Sequence, residues 1–352
     1  MLAGLGFVVV GVRSAVYSIY ERRLRRQLAG KPIPHHVAVM LDGNRRWARA
    51  AGFEDVTEGH VAGARRISDL LEWCTEAGVQ HVTIWLLSTQ NAGTDREKDI
   101  IAGTSAGSRT VWVMKTTDEG VTWSAPVEIT SSVKGPGWTW YATGPGVGIH
   151  TTSGRLVIPA NHAEANGVHR SHLMLSDDGG QTWKLGASAD AGTNESQVVE
   201  LHNGTLMLNM RNHPPRPENF RMVATSEDGG RTLSKATADP ALVEPPAQAS
   251  VLRLSTSKTH DRNRLLFSNP ASARRERMTV RLSYDEAATW PVSRIVHEGP
   301  AAYSSLVVLP DNSLGVLFER GASSPYERIT FARFTLDWLT DGKDRLSSIK
   351  HR

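Results

Sequence analysis

Four copies of one short pattern constrain this 352-residue chain more than any other feature. TTDEGVTW (116–123), SDDGGQTW (176–183), SEDGGRTL (226–233) and SYDEAATW (283–290) share the order Ser/Thr-x-Asp-x-Gly-x-Thr-Trp. Their aspartates, Asp118, Asp178, Asp228 and Asp285, are 60, 50 and 57 residues apart. The third copy has Leu233 in place of Trp, and the fourth has Ala287 in place of Gly. The pattern reads as a β-hairpin turn: Asp accepts backbone N–H bonds, Gly takes a left-handed φ, and Trp packs beneath. One hairpin signature per repeat of about 50 residues predicts four-stranded propeller blades.

The sequence around the repeats agrees with an all-β reading. After about residue 90, short alternating runs such as TVWVMKT, RLVIPA, SHLMLS, GTLMLNM and MTVRLS recur between Gly, Asp, Asn and Pro turns. Before it, apolar runs HVAVML (36–41) and HVTIWLLS (81–88) bracket helical patterns at 44–51 and 60–77. A strand–helix–helix–strand order predicts the opening of an α/β sheet with parallel strands. Residues 1–30 hold an apolar run at 2–12 followed by Arg22, Arg23, Arg25 and Arg26. The run is short of the ~20 residues that span a bilayer. Two readings stay open, a peripheral membrane helix or a helix packed on its own domain. With no cleavable secretory signal read in it, the expected location is cytoplasmic or peripheral to a membrane.

Composition removes some function classes. A net charge of +4 gives no argument for a nucleic-acid partner. One cysteine, Cys74, excludes an intrachain disulfide and a cysteine-cluster zinc site.

The repeats resemble the Asp boxes of sialidases (neuraminidases, the Asp-box or BNR-repeat family), six-bladed β-propellers that hydrolyse terminal sialic acid. The resemblance covers about 84–342. NESQVVELHNGTLMLNMRN (194–212) is similar to the family segment with a catalytic Glu and a substrate-binding Arg, which makes Glu195 the base and Arg211 a carboxylate-clamp arginine. FSNPASARRERMTVRLS (267–283) resembles the segment of the next clamp arginine, on Arg275, with Arg274 the neighbouring register. GPAAYSSL (299–306) resembles the nucleophile segment and gives Tyr303; LFERG (317–321) gives Glu319, which would orient a clamp arginine. These residue types suit a substrate with a carboxylate on its anomeric carbon. Guanidinium groups meet that anion in charge-assisted bonds, and a neutral phenol escapes the repulsion that a carboxylate nucleophile would suffer. WTWYATGPGVG (138–148) is also family-like, with Trp138, Trp140 and Tyr141 either walling a glycan pocket or packing inside a blade. The histidines of HAEANGVH (162–169) read as loop residues. The family's opening Tyr-Arg-Ile-Pro strand, its acid/base aspartate and an early Asp box have no match here.

The N-terminal segment resembles a different family, the cis-prenyltransferases (undecaprenyl or Z-isoprenyl diphosphate synthases), over about 20–91. HHVAVMLDGNRRWARAAG (35–52), GHVAGARR (59–66) and VTIWLLSTQN (82–91) carry the likeness. It implies that Asp42 holds Mg²⁺ and diphosphate, and that Gly43, Asn44, Arg45 and Arg46 cradle the diphosphate at a helix start. Trp47, His60, Ser88 and Asn91 match further family positions. Glu54 and Asp55 stand where the family has an arginine, and the later motif for isopentenyl diphosphate is absent. IWLLSTQN (84–91) fits both families.

The expected architecture is therefore mainly β, an incomplete six-bladed propeller of about four to five blades preceded by a small α/β fragment. The expected divisions are an apolar/basic helix (1–30), a cis-prenyltransferase-like fragment (31–91), a sialidase-like propeller (92–342) and a polar tail (343–352). The expected activity is exo-α-sialidase hydrolysis of a sialylated glycan, impaired by loss of the first blade and needing no cofactor. The alternatives are a non-catalytic sialoside-binding propeller and a prenyltransferase remnant, the latter alone with Mg²⁺.

Overall fold

The computed structural model describes residues 20–27, 36–40, 44–55, 57–79, 81–85, 97–105, 107–118, 122–213 and 219–347. The chain divides into two compact units, Met1–Thr94 with Lys115–Ser124, and Asp95–Met114 with Ala125–Arg352.

In the first unit, strand β1 (His36–Met40) lies parallel to β2 (His81–Trp85), with His36 opposite His81. Between them come helices α2 (Asn44–Ala50) and α3 (Thr57–Ala77), while α1 covers 20–27. The predicted strand–helix–helix–strand order is present. The start of α2 lies against α3 where the latter has only glycines: a Cβ on Gly59 would stand 2.1 Å from the Asn44 carbonyl oxygen, and one on Gly63 2.5 Å from Asn44 Oδ1. Arg25 of α1 pairs with Glu76 of α3 at 2.7 Å. No described helix is long and apolar enough to cross a membrane.

The second unit is a succession of antiparallel sheets. A short pair, β3 (Trp112–Val113) with β4 (Val127–Glu128), comes first. The next sheet runs β5 (Trp138–Thr143), β7 (Leu156–Glu164), β8 (His169–Ser176), β9 (Lys184–Ser188), with β6 (Ile149–His150) on β7. Then come β10 (Thr193–Glu200), β11 (Leu206–Asn212), β12 (Phe220–Ser226) and β13 (Thr237–Val243). The last sheet runs β14 (Ser250–Ser255), β15 (Arg264–Pro270), β16 (Glu276–Ser283), β17 (Val292–Val308), β18 (Leu314–Arg320) and β19 (Arg328–Phe334). Strand β17 is 17 residues long; its first half pairs with β16 and its second half with β18.

Strand alternation explains how the sheets are held. Successive side chains point to opposite faces, so one strand feeds two cores. On β8, Met174 joins Tyr141, Val111 and Val133, whereas Leu173 and Leu175 join Val198, Leu206, Leu208 and Met210 of the following sheet. On that sheet, Met207 and Val199 turn the other way and meet Val251, Leu265 and Phe267. Leu266 in turn faces Val280, Leu306, Val316 and Phe318. The cores of Leu173 with Leu208 and of Met207 with Phe267 are sheet face against sheet face; that of Met174 is completed by Val111 and Val133 outside the strands, and that of Leu266 lies between strands of the last sheet.

The repeats sit at the turns that close these strands. Thr182 N and Thr182 Oγ1 donate to Asp178 at 2.9 and 2.6 Å, and the Ser176 hydroxyl donates to it at 2.8 Å. Asp228 and Asp285 repeat this with Thr232, Ser226, Thr289 and Ser283, and Asp118 does so with Thr122 and Thr116. These bonds hold the Asp178 and Asp228 carboxyls far below the usual carboxylate range. Ala287 adopts φ +70°, the left-handed value that Gly180 holds at +80°, so the turn survives the loss of glycine with some strain. Trp183 is buried as expected, but Trp123 of the first copy is 56% exposed rather than packed beneath its hairpin.

Candidate active site

Two irregular positions in the sheets aim the central side chains. The β10–β11 register shifts between Thr193 and Ser196, and Glu195 falls in that interval. The β17–β18 register shifts between Ala301 and Ser304, and Tyr303 falls there. A bulge bends a strand and redirects a side chain, which lets residues of separate sheets converge. They do converge. The Tyr303 hydroxyl donates toward both Glu195 carboxylate oxygens, at 2.6 and 2.7 Å. Arg211, near the end of β11, donates from Nη1 to Glu195 Oε2 at 2.7 Å and to Tyr303 Oη at 3.2 Å. Glu195 and Arg211 are 18% and 19% exposed, shielded from bulk water yet reachable.

Arg275 precedes β16, and its carbonyl accepts from Ala301 N at 2.8 Å, tying that loop to the Tyr303 strand. Its guanidinium carbon lies 5.5 Å from the centre of the Tyr303 ring and 5.8 Å from that of Tyr326. One nitrogen donates to the Tyr326 hydroxyl and the other to the Pro246 carbonyl, at 2.8 Å for the latter. Arg274 is exposed and pairs with Glu276 instead, so of the two registers it is Arg275 that faces Tyr303. Glu319 corrects its expected part: its carboxylate accepts from the Tyr303 backbone N–H at 3.1 Å. Among the described residues no arginine pairs with it, because Glu319 stands beside Tyr303 on the neighbouring strand β18.

Electrostatics divides the labour between phenol and carboxylate. Burial, and then the Glu195 charge, push the Tyr303 pKa well above that of an ordinary phenol. Tyr303 therefore rests as a neutral phenol in direct contact with the Glu195 carboxylate. Beneath Arg211 lies a support that the sequence pattern did not predict. Glu244, 2% exposed, accepts from Asn212 N at 2.6 Å and from Arg221 Nη1 at 2.5 Å. Arg221 is fully buried and also donates to Asn209 Oδ1 and the Ala247 carbonyl. A carboxylate inside the apolar run ALVEPP (241–246) is the one signal of it in the sequence; Tyr326 has none.

The aromatic segment resolves toward packing. Trp140 and Tyr141 are buried, and Trp138 stacks on His162 with centroids 3.4 Å apart. His162 is likewise buried, facing His172 at 3.0 Å between Nδ1 atoms, and is no loop histidine. His169 stacks on His213 at 4.1 Å, and burial with the neighbouring His213 and Arg211 charges lowers its pKa to about 4.

In the first unit, Trp47 is half exposed and stacks on Phe53 at 5.8 Å. Asp42, Gly43, Ser88 and Asn91 lie outside the described residues, as do residues 1–19 and the side chains of Arg45, Arg46 and His60.

A phenol, a carboxylate and two guanidinium groups gathered on successive antiparallel sheets define a mainly-β repeat protein with cationic groups placed to meet an anion. A family model described as "BNR repeat-like domain" matches residues 79–316, and the chain belongs to that family. A second model, "Putative undecaprenyl diphosphate synthase", matches residues 40–109, so the N-terminal segment is similar to isoprenyl diphosphate synthases. The chain is similar to a sialidase of Micromonospora viridifaciens, 35% identical over 235 residues, covering 64% of this chain and 35% of the relative. An exo-alpha-sialidase of Aspergillus fumigatus is 32% identical over 288 residues, covering 74% and 66%. A (2Z,6E)-farnesyl diphosphate synthase of Thermobifida fusca is 59% identical over 80 residues, covering 23% and 32%. Among solved structures, the Hadza microbial sialidase Hz136 superposes with a TM-score of 0.59 at 32% identity, covering 65% of this chain and 44% of that one. The chain thus spans about a third to two thirds of the length of these relatives.

Proposed function

We propose that the chain is a sialidase-type glycoside hydrolase that removes terminal sialic acid from a glycan, with Tyr303 as nucleophile. Tyr303 Oη attacks the anomeric carbon while Glu195 takes its proton, and the bond to the leaving sugar breaks with water protonating the departing oxygen; the hydroxide left then cleaves the tyrosyl–sialyl bond, releasing sialic acid as Glu195 returns the proton to Tyr303. Arg211 and Arg275 receive the substrate carboxylate, and the reaction needs no cofactor. Most glycoside hydrolases work with two carboxylates; sialidases that attack through tyrosine depart from that rule, and a phenol beside a single glutamate fits the departure. The observation that carries this reading is the 2.6 Å contact between Tyr303 and Glu195.

The same reading makes the enzyme impaired. The second unit is an incomplete six-bladed propeller of about four to five blades, within residues 92–342, and its first clamp arginine and acid/base aspartate are missing. Losing a general acid costs about 10²–10⁴ in rate. The fragment at 31–91 keeps one diphosphate site at most, around Asp42, where Mg²⁺ would sit; lacking the second substrate's motif, it does not condense prenyl units. A fluorogenic sialoside assay tests the proposal: slow hydrolysis abolished by Tyr303→Phe is expected. Sialoside binding that survives this substitution, with no turnover in the parent, would instead establish a glycan-binding module.

A further inference from the structure

A bulged strand loses ladder bonds that would fix its backbone, and Glu195 stands in such a place, between the shifted positions Thr193 and Ser196. Its N–H is taken up by the residue before it: Asn194 Oδ1 accepts from Glu195 N at 2.7 Å. A backbone nitrogen can only donate, so the amide atom facing it is the oxygen, and the Asn194 amide nitrogen is turned the other way. That nitrogen stands 3.1 Å from Nδ1 of His169, the first residue of β8. An amide nitrogen only donates, so the ring nitrogen accepts. The bond therefore sets the tautomer of His169, with the proton on Nε2.

We propose that His169 is a positioning residue for Glu195, acting through Asn194 to hold the bulge in the orientation in which the carboxylate meets Tyr303. This rests on the hydrolase reading above, in which Glu195 takes the proton of the phenol. The ring is itself fixed twice. It stacks on His213, with centroids 4.1 Å apart and planes at 30°. The two backbones are also tied through Gly192, whose N–H donates to the His169 carbonyl and whose carbonyl accepts from His213 N, both at 3.0 Å. Burial and the neighbouring His213 and Arg211 charges lower the His169 pKa to about 4, so at neutral pH Nδ1 keeps its lone pair for Asn194. Asn194 is only 8% exposed, and a buried amide that loses its partner carries a desolvation cost. Strand β8 grips the bulge at a second point as well. The Asn194 carbonyl accepts from the Ser171 hydroxyl, and Thr193 Oγ1 accepts from Ser171 N at 2.9 Å. The main chain before Glu195 is thus held by Ser171, and the N–H of Glu195 itself by the His169–Asn194 relay.

Two substitutions at one position separate this role from packing. His169→Asn puts an amide oxygen where Nδ1 stands and gives up the stack, whereas His169→Phe keeps a ring against His213 and has no acceptor. With a fluorogenic sialoside, His169→Phe should lower kcat at least about tenfold with KM within about twofold, because a small misplacement of a reacting group costs rate. His169→Asn should keep most of the parent kcat. The reverse order, equal losses in both or no loss in either would overturn the proposal. A second measurement needs no turnover. Nitrogen-15 spectra of the full chain at neutral pH should show His169 as the Nε2–H tautomer, and amide exchange at Glu195 should quicken roughly twofold to tenfold in His169→Phe but not in His169→Asn. An Nδ1–H ring, or exchange indifferent to both substitutions, overturns the proposal whether or not the chain hydrolyses sialosides. A parent without hydrolysis that still shows this tautomer and this exchange pattern overturns the hydrolase reading and upholds the support of Glu195 by His169.

Discussion

Tyr303 Oη touches both carboxylate oxygens of Glu195 although 108 positions separate the two residues. The contact joins β17 to β10, and each partner occupies a register shift in its own strand. In the proposed reaction it gives the phenol, whose pKa burial and the Glu195 charge raise well above the ordinary value, a carboxylate already in place to take its proton.

Replacing Tyr303 by Phe removes the oxygen and nothing else of the ring. The Glu195–Arg211 ion pair remains, so folding should be unaffected and sialoside hydrolysis should drop below detection. Glu195→Gln, which keeps the shape and loses the base, should lower kcat by about 10²–10⁴. Initial rates with a fluorogenic sialoside, read beside thermal melts, separate lost chemistry from lost structure.

Tyr326 holds Arg275 beside the Tyr303 ring, so Tyr326→Phe should loosen that guanidinium while leaving the Tyr303–Glu195 contact intact. An exposed hydrogen bond contributes about 0.5–1.5 kcal/mol, which predicts a rise in KM of roughly twofold to tenfold with kcat nearly constant. A fall in kcat with unchanged KM would remove Tyr326 from substrate positioning.

How much of this is legible in the sequence follows from how each feature is encoded. The Asp boxes are readable because Asp178 and Asp228 are bonded to residues within four positions, so the whole device is local. The strand in SHLMLS is readable as a short apolar run, Leu-Met-Leu, between turns, because both of its faces are buried. Tyr303, Glu195, Arg211 and Arg275 are reached through resemblance, since their meeting depends on register shifts that no single strand announces. Glu319 falls in the right neighbourhood with the wrong partner, because its bond goes to a backbone N–H and a main-chain donor leaves no residue type to find. In one dimension Trp138 stays open between pocket wall and packing and His162 reads as a loop residue; stacking across β5 and β7 places both in the packed interior.

Glu244 and Arg221 form a pair that is almost fully removed from water, with 2% and 0% exposure. Deleting one partner leaves the other charged and buried, at a cost of about 3–5 kcal/mol. Glu244→Ala should therefore lower unfolding free energy by that amount and unseat the backbone at Asn212, beside Arg211. The double variant Glu244→Leu with Arg221→Met should recover most of the stability in urea denaturation, because it removes both charges together.

Acid should weaken the fold through a second buried pair. His162 and His172 face each other at 3.0 Å between Nδ1 atoms, so at most one of those atoms carries a proton. Burial, with Arg170 and His169 nearby, lowers the His162 pKa to about 3, and burial with His162 lowers that of His172 well below its ordinary value. The unfolded chain protonates these rings near pH 6.5, so both are neutral in either state above that value and the stability they permit is fully present. Between about 6.5 and about 3 the unfolded state binds protons that the folded state refuses. Stability should then fall by up to ~1.4 kcal/mol per pH unit for each histidine. Urea midpoints measured from about pH 7 down to about pH 4.5 follow this loss, and His162→Phe, which keeps a ring against Trp138, should flatten the slope by the share of one proton. Equal slopes in parent and variant would assign the acid sensitivity to carboxylates instead.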